Sequence, residues 1–274
     1  MSKLRLGLIG AGIQGSLAPK LQPEEGRQHQ IEIEYHLIDL DVLGAGNEAL
    51  PGLIERATRE GYGGLNITYP SKQAVIPLLD ELSPEARAMN AVNTIVIRDG
   101  RMSGHNTDGA GWAWGFRQAL PNAALERVVL LGAGGAGSAI AHAAAGLGVN
   151  KLIVVDQDMR RAETLARKVG GAAQRDIARA LDGADGLIHA TPVGMKKSPG
   201  MPLPETLLHP SLWVSEVVYV PIETELLKAA RRAGCATMDG GHMNVGQAAL
   251  GFELFTGRKA DPARMDAHFR RLVG

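Results

Sequence analysis

The stretch that decides the fold is Val128-Val-Leu-Leu131-Gly132-Ala133-Gly134-Gly135-Ala136-Gly137, which continues as Ser138-Ala-Ile-Ala-His-Ala-Ala-Ala145. The apolar run before the glycines predicts a buried strand, and the alanine-rich run after them predicts a helix. The glycines match the pattern G-x-G-x-x-G, which permits a tight turn, close approach of the backbone to a pyrophosphate, and close packing of helix on strand. Amides at the start of the helix then bind the anion. The stretch therefore predicts a dinucleotide-binding turn.

The chain after this turn alternates between strand and helix patterns. The next strand, Lys151–Val155, ends in Asp156, where an acidic side chain can bond the hydroxyls of a ribose. Further helices are predicted at 138–146, 160–168 and 224–233, and further strands at Gly186–His189 and 213–217. Such a βαβ series predicts a parallel sheet with helices on both faces, a Rossmann-type α/β domain.

A second glycine cluster, Gly10-Ala-Gly12-Ile-Gln-Gly15, follows a predicted strand at 4–9. Pro19 and Pro23 come next, and proline removes a donor and clashes with the preceding turn, so a long helix starting at Gly15 is disfavoured. The pattern indicates a glycine-rich turn between strand and helix, compatible with a carboxylate site; the alternative is a second dinucleotide site. Other predicted strands are 32–38 and 94–97, and other predicted helices are 53–60, 72–79, 247–255 and 262–272.

Length and composition limit the classes of protein. The 274 residues suffice for two domains, and 29 Lys and Arg balance 29 Asp and Glu, so composition gives no basic face for nucleic acid. The single cysteine, Cys235, excludes an internal disulfide and suits a reducing compartment. We recognise no apolar leader or run of membrane-spanning length, and the histidine spacing predicts no metal site. We expect a cytoplasmic protein that binds neither membrane nor nucleic acid.

At Gly64-Leu-Asn66-Ile-Thr68-Tyr-Pro70-Ser-Lys72 the chain resembles the shikimate dehydrogenase family. The resemblance continues in the family's order over nearly the whole chain. It extends through Ala91-Val-Asn93-Thr94, Asn106-Thr-Asp108-Gly109, the glycine turn at 132–137, Ala190-Thr191-Pro192-Val-Gly194-Met195, Tyr219-Val-Pro221 and Gln247-Ala248. Gly104-His105 before Asn106, and the run at 222–230 after Pro221, are most similar to the NAD-using shikimate/quinate dehydrogenases.

The resemblance implies a two-domain α/β dehydrogenase. A substrate-binding domain is expected at 1–106 and 242–274, to which the C-terminal helices return, and an NAD-binding Rossmann domain at 107–241. The implied reaction is hydride transfer between the dinucleotide and a small-molecule hydroxy acid, shikimate to 3-dehydroshikimate, as in aromatic amino acid biosynthesis, by a monomer or homodimer. Two alternatives stay open: a quinate dehydrogenase that forms 3-dehydroquinate, and a non-catalytic NAD- or metabolite-sensing protein. The intact Lys72 and Asp108 argue against the sensor.

The resemblance also assigns the residues of the site. Lys72 and Asp108 are implied to be the catalytic pair, since a lysine in a partly desolvated cleft can take the hydroxyl proton and return it. Small hydroxyls and amides suit a polyhydroxylated ring, because each buried hydroxyl must meet a partner. The implied substrate pocket consists of Ser16, Asn66, Thr68, Asn93, Tyr219 and Gln247. The implied dinucleotide contacts are Gly132, Ala133, Gly134, Gly135, Ala136, Gly137, Asp156, Thr191, Pro192, Val217, Gly240 and Met243.

Ordinary structural roles compete with these assignments. From spacing alone, Lys72 is a solvated lysine at a helix start, and Asp108 is an N-cap before a helix at 109–120. Roles as caps, turn residues or a core aromatic are open for Ser16, Thr68, Asn66, Asn93 and Tyr219.

The chain departs from the family's pattern at four places. Ala18 stands where the substrate loop usually carries a second hydroxyl, which puts recognition of the carboxylate in question. His189 replaces an asparagine, Glu216 replaces an aspartate, and Gly240-Gly-His-Met-Asn244 replaces the usual glycine-rich segment. NADP-using members usually carry an Asn-Arg-Thr-like run where this chain has Asp156-Gln157-Asp158. We therefore expect NAD to be preferred and NADP to be tolerated.

Overall fold

The computed structural model describes residues 2–273, which divide into two compact units. The first unit runs to Thr107 and is completed by the chain from Ala248 on; the second is Asp108–Gln247. The strands are β1 (Ser2–Gly10), β2 (Ile31–Asp39), β3 (Tyr62–Ile67), β4 (Glu81–Leu82), β5 (Thr94–Arg98), β6 (Arg101–His105), β7 (Arg127–Leu131), β8 (Lys151–Val155), β9 (Ala172–Gln174), β10 (Gly186–His189), β11 (Trp213–Glu216) and β12 (Thr237–Met238). The helices are α1 (Ala18–Gln28), α2 (Leu40–Leu43), α3 (Leu50–Arg59), α4 (Pro84–Met89), α5 (Asp108–Ala119), α6 (Gly135–Gly146), α7 (Met159–Val169), α8 (Ile177–Leu181), α9 (Glu225–Arg232), α10 (Gly240–Thr256) and α11 (Pro262–Val273).

The sheet of the second unit has the strand order β12-β11-β10-β7-β8-β9, and every neighbouring pair is parallel. Counted from β7, this is the order 3-2-1-4-5-6 of the Rossmann fold. The strand order reverses between β7 and β10, and open α/β sheets bind ligands outside the carboxyl ends of the strands at such a point. The predicted Rossmann-type α/β fold is confirmed.

Both faces of this sheet are covered, which explains why its strands are continuous apolar runs. In β7, Val128 and Leu130 enter one core cluster with Trp112, while Val129 enters a second cluster with Leu226. Fully burying a side chain of this kind contributes about 1.5–3 kcal/mol. The alternation along β7 therefore anchors the strand that carries the glycine turn from both sides.

The sheet of the first unit is mixed, with the order β2-β1-β3-β5-β6-β4. β1 lies between β2 and β3 and is parallel to both, whereas β5 is antiparallel to β3 and to β6. One face is covered by a cluster that includes Ile9, Leu65, Ile95 and Ile54 of α3. The carboxyl ends of β1 and β3 consequently open at the same edge.

The end of the chain completes the first unit through polar contacts to α1. The Gln22 side chain donates to the carbonyl of Ala248 over 2.9 Å. Glu25, which is 1% exposed, accepts two hydrogen bonds from the Arg264 guanidinium, at 2.6 and 3.0 Å. Hydrogen bonding to Glu25 raises the pKa of Arg264, against the effect of burial. Removing either partner of such a pair leaves an uncompensated charge.

Two helix predictions differ from the structure. The predicted helix 72–79 is wrong: residues 72–75 form turns, followed by a 3-10 turn at Ile76–Leu78. Pro77 cannot donate an amide to a helical ladder, which explains the break. Conversely, Pro19 and Pro23 disfavoured a long helix starting at Gly15, yet helix α1 forms with Pro23 inside it. The helix begins at Ala18 rather than Gly15 and is held by buried side chains, so packing overrides propensity.

The division into units falls inside helix α10. Its residues up to Gln247 belong to the second unit and those from Ala248 on to the first. The predicted domain boundary at 242 lies in the same helix. Within residues 2–273 none of the helices combines the length and the apolar character needed to cross a membrane.

Candidate active site

The glycine turn of the second unit has the backbone that its sequence pattern requires. Gly132 has a φ of +108°, which L side chains rarely adopt, and a Cβ there would lie 2.6 Å from the carbonyl oxygen of Ala190. A Cβ on Gly137 would collide with the carbonyl of Gly132, so α6 packs directly on the turn. A Cβ on Gly134 would meet nothing within 4 Å. The turn therefore leaves open space beside the first amides of α6, which have no partner within the helix.

Asp156 is joined to this turn. Its Oδ2 accepts from the Ala133 amide at 2.7 Å and its Oδ1 from the Asp158 amide at 2.8 Å. Asp158 in turn caps α7 by accepting from the Arg160 amide at 3.0 Å. Arg161 lies 3.7 Å from Asp158, and both are exposed, so this ion pair contributes little. The acid at the end of β8 is thus held against the glycine turn.

The other residues assigned to the dinucleotide lie at the same edge of the sheet. Thr191 and Pro192 follow β10, Val217 follows β11, and Gly240 begins α10 after β12. A Cβ on Gly240 would lie 2.5 Å from the carbonyl oxygen of Val217, so the helix start packs on that strand end. Met243 is 7% exposed and belongs to the core cluster. The structure brings the assigned residues together at one sheet edge but places the Met243 side chain in the core.

This edge fits a dinucleotide. The turn at 132–137 offers a helix N-terminus and a side-chain-free approach at Gly134, which suits a pyrophosphate. Asp156 supplies the acidic group at the end of the second strand that suits a ribose. Among residues 2–273 the structure holds no group of three or more His, Cys, Asp or Glu side chains that could bind a metal ion.

A buried polar pair that sequence reasoning did not connect lies behind this edge. His189 and Glu216 are in-register neighbours at the ends of β10 and β11, both 0% exposed, with Nδ1 and Oε1 2.8 Å apart. His189 Nε2 lies 2.6 Å from the Thr191 hydroxyl. Both residues were noted only as separate departures from a pattern; the signal that joins them is the pairing of their strands.

The glycine turn of the first unit is arranged differently. The carboxylate of Asp39, at the end of β2, accepts from the amides of Gly12 and Ile13 at 2.9 and 3.0 Å and from the Gln14 side chain at 2.9 Å. Burial opposes the charge on Asp39, but these bonds and one from the Asp41 amide outweigh it and hold its pKa below the ordinary value. The amides that would bind an anion are therefore used by the protein itself, which disfavours a second dinucleotide site.

Ser16, Thr68 and Lys72 follow the carboxyl ends of β1 and β3. The Ser16 hydroxyl accepts from the Ala18 amide at 3.3 Å, at the first residue of α1. The Thr68 amide donates to Ile9 at 2.9 Å, and the Lys72 carbonyl accepts from the Val92 amide at 2.8 Å. Thr68 and Lys72 are both half-buried. Backbone bonds thus hold Thr68 to β1 and Lys72 to the segment just before β5, whereas Ser16 bonds within its own turn.

Asn66 and Asn93 form one polar network with a tyrosine that sequence reasoning missed. The Tyr35 hydroxyl donates to Asn66 Oδ1 at 2.7 Å, and burial raises the pKa of that hydroxyl. Asn66 Nδ2 donates to the Asn93 carbonyl at 3.2 Å and to the Thr94 hydroxyl at 3.1 Å. Both donors of the Asn66 amide are therefore engaged within the protein, and only an acceptor position is left for a ligand.

Asn93 is 4% exposed and holds the segment that leads to Asp108. Its Oδ1 accepts from the Thr107 amide at 2.9 Å, and its Nδ2 donates to the Thr107 hydroxyl at 3.0 Å. Asp108 follows directly and is the first residue of α5, with 6% exposure. Asn93 consequently acts on the position of the Asp108 backbone through its neighbour.

Three further assigned residues belong to the second unit: Asp108 on α5, Gln247 on α10 and Tyr219 after β11. Asp108 opens α5, and Trp112 on the same helix donates to the Ser215 hydroxyl at 3.0 Å. Gln247 lies on α10 and its side chain donates to the Asn244 carbonyl at 3.0 Å. Tyr219 follows β11, and burial raises the pKa of its hydroxyl, so it stays protonated at neutral pH and can both donate and accept.

Comparison with known proteins gives consistent matches over nearly the whole chain. The family described as "Shikimate dehydrogenase substrate binding domain" matches residues 8–95, and "Shikimate / quinate 5-dehydrogenase" matches residues 116–194. A shikimate dehydrogenase (NADP(+)) of Streptomyces avermitilis is 51% identical over 278 residues, covering 98% of this chain and 96% of that protein.

Solved structures are similar over the same length. Quinate dehydrogenase from Corynebacterium glutamicum in complex with NAD has a TM-score of 0.91 and 44% identity, covering 99% of this chain and 100% of that one. Shikimate 5-dehydrogenase from Thermus thermophilus in complex with NADP(H) and shikimate has a TM-score of 0.89 and 33% identity, covering 98% of this chain and 99% of that one. These relatives differ in the dinucleotide and the acid that their names state.

Proposed function

Because the chain belongs to the shikimate/quinate dehydrogenase family, an oxidoreductase family that acts on CH–OH groups, we propose that it interconverts shikimate and 3-dehydroshikimate with NAD as the preferred dinucleotide. Quinate is proposed as the second acid and NADP as a dinucleotide used less well. The proposal keeps Lys72 and Asp108 as the catalytic pair.

The observation that supports NAD is the position of Asp156. Its carboxylate is bonded to the turn through Ala133, so it cannot easily leave the end of β8. NADP carries an additional phosphate on the adenosine ribose, and a carboxylate about 4 Å from one phosphate charge costs roughly 4 kcal/mol at an effective dielectric of 20. Screening relieves part of this cost. Arg160 and Arg161 are exposed on α7, and Arg161 already pairs with Asp158.

Proton transfer is proposed for Lys72. The bound dinucleotide supplies the hydride acceptor or donor. In the oxidation, the hydroxyl proton goes to the Lys72 amine as the C–H hydride leaves, and the same ammonium returns the proton in the reduction. Asp108 balances the ammonium charge and keeps it in place. Asn93 supports this role through its hydrogen bonds to Thr107, next to Asp108.

Recognition of the acid is proposed for hydroxyl and amide groups. Ser16 presents a hydroxyl beside the first turn of α1, while Asn66 offers an acceptor because its donors are taken. Thr68, Tyr219 and Gln247 add groups that can donate or accept, which suits a ring with several hydroxyls. Quinate is retained as a second substrate because the C. glutamicum relative, at 44% identity over 99% of this chain, is named a quinate dehydrogenase.

The deciding experiment measures kcat/KM for shikimate and for quinate, each with NAD and with NADP, on the purified protein. We expect the highest value for shikimate with NAD. A higher value with NADP, or for quinate, would contradict the corresponding part of the proposal. Binding of a dinucleotide without turnover of either acid would instead support a sensor.

A further inference from the structure

The polar pair behind the dinucleotide edge is unusually complete for a fully buried site. Glu216 Oε1 lies within 2.8–2.9 Å of His189 Nδ1 and of the amides of Val217 and Val218. Glu216 Oε2 accepts from the Thr224 hydroxyl at 3.0 Å. A buried carboxylate is tolerated when every position around it is a donor. This pair therefore ties β10, β11 and the start of α9 together.

The partners of Glu216 determine which ring nitrogen of His189 carries the proton. Backbone amides only donate, so Glu216 Oε1 acts as an acceptor and His189 Nδ1 must donate to it. In a neutral imidazole the other nitrogen is then an acceptor. The Thr191 hydroxyl, 2.6 Å from Nε2, accordingly donates a hydrogen bond to His189. The two hydrogen bonds therefore have one direction, which we call the polarity of the pair: Thr191 donates to His189, and His189 donates to Glu216.

This polarity determines what Thr191 offers to a ligand. Because the Thr191 hydroxyl donates its hydrogen bond to His189, its oxygen can only accept from other groups. One of its two lone pairs accepts from the Val193 amide at 3.3 Å. Thr191 is half-buried, and its methyl group lies 3.0 Å from the position of a Cβ on Gly132, so it stands beside the glycine turn.

We propose that His189 and Glu216 are positioning residues that hold the Thr191 hydroxyl as a hydrogen-bond acceptor for the bound nicotinamide dinucleotide. This inference rests on the proposed function for its ligand. It adds to that function a buried pair that touches neither dinucleotide nor acid but sets the direction of a contact made by Thr191.

The test separates the two ring nitrogens of His189. His189→Asn places an amide near Nδ1, so Glu216 keeps a donor but Thr191 loses its partner. His189→Gln places an amide near Nε2 and is the matched control for the Thr191 contact. The dissociation constant of NADH is measured by its fluorescence with no acid present. One neutral hydrogen bond corresponds to about a two- to ten-fold change, so we expect H189N to raise the constant by that factor and H189Q to raise it less.

A double-mutant cycle shows whether His189 acts through Thr191. We expect Thr191→Val to weaken NADH binding as much as H189N, Thr191→Ser to restore it, and the H189N/T191V variant to bind no more weakly than T191V. Additive losses, or an unchanged dissociation constant in a folded H189N, would overturn the inference. If a His189 variant fails to fold, the half-buried Thr191 still provides a test: equal NADH binding by T191V and the wild type would overturn the inference, because Thr191 would then make no contact for His189 to orient.

Two further readouts keep this inference apart from the proposed function. The imidazole ¹⁵N chemical shifts of the dinucleotide-free protein should show His189 protonated on Nδ1 only; a ring protonated on Nε2, whether alone or together with Nδ1, would overturn the polarity. Turnover of shikimate and quinate is measured on the wild type in parallel. If the wild type binds NADH but turns over neither acid, the enzyme assignment is refuted. If the variants nevertheless give the expected cycle, the role of His189 is still supported.

Discussion

The backbone amide of Ala133 donates to the carboxylate of Asp156 over 2.7 Å, which joins the glycine turn after β7 to the acid at the end of β8. The two halves of a dinucleotide fingerprint, which the sequence separates by a whole helix, are thereby one hydrogen-bonded unit. A change at Asp156 should consequently act both on the dinucleotide's ribose and on the turn itself.

The first prediction concerns the choice of dinucleotide. The wild type should favour NAD over NADP by about one to three orders of magnitude in kcat/KM, because the Asp156 carboxylate repels the additional phosphate. In Asp156→Ala the ratio should move toward NADP, while both dinucleotides lose some affinity with the Ala133 bond. Glu163→Ala, which removes an exposed acid on α7 outside the run at 156–158, is the control. The assignment would be refuted if the wild type preferred NADP, or if D156A had the same ratio of kcat/KM for NAD to kcat/KM for NADP as the wild type.

The second prediction concerns proton transfer. Lys72→Ala and Asp108→Asn should each lower kcat by about two to four orders of magnitude, the usual size of general acid–base effects. Because the two residues are proposed to act as a unit, the double variant should lose little more than either single one. Lys228→Ala, on the surface of α9, should leave kcat unchanged. Near-normal kcat in Lys72→Ala would show that another group moves the proton.

The third prediction concerns the acid. Ala18 is the first residue of α1 and its amide donates to the Ser16 hydroxyl. Ala18→Ser adds a donor there, and a hydrogen bond to a charged group contributes about 1.5–3 kcal/mol. We therefore expect a lower KM for shikimate in A18S and a higher one in Ser16→Ala, measured at saturating NAD. If A18S leaves KM the same or raises it, the carboxylate is held elsewhere.

The fourth prediction concerns Asp39 and pH. The folded protein holds the pKa of Asp39 below the value of an unfolded aspartate, about 3.9, so the ionised form stabilises the fold. This contribution is fully present above about pH 4 and is lost as pH falls through the folded pKa. Asp39→Asn should lower the free energy of unfolding at pH 7 by about 1–3 kcal/mol.

Urea unfolding of the wild type and D39N, repeated as pH is lowered from 7 to below about 4, checks the sign. The gap between the two proteins should narrow as pH falls, since the wild-type carboxylate becomes protonated. Asp41→Asn, at an exposed position next to it, should show no such convergence. A gap that is constant over this range would mean that Asp39 contributes by shape and not by charge.

The parallel sheet of the second unit could be predicted because its signals are local. Strands β7 and β8 are short apolar runs followed by Gly132 and Asp156, and helices α6 and α7 after them are uninterrupted. The first unit was less predictable. Pro23 lies inside helix α1, and Pro77 lies in the predicted helix 72–79, where only a 3-10 turn forms. For α1, long-range packing, which a local pattern does not contain, decided the outcome; at Pro77 the missing amide donor did.

The residues of the candidate site also divide into those that local sequence signals predict and those that they do not. The turn at 132–137 and Asp156 follow from spacing and chemistry, whereas Lys72 and Asp108 were assigned only through family resemblance. Tyr35 and Asp39 were missed because their roles depend on which strands lie side by side. The same holds for His189 and Glu216, whose contact exists only because β10 and β11 pair in that register.

The bonds from Gln22 to Ala248 and from Arg264 to Glu25 join parts of the first unit that the ribosome makes at different times. The second unit is one continuous segment, so on the ribosome it can fold as soon as it has emerged. The sheet of the first unit is synthesised earlier, but Glu25 gains its arginine partner only when α11 has been made. The last part of the first unit is therefore synthesised only after the whole of the nucleotide-binding unit.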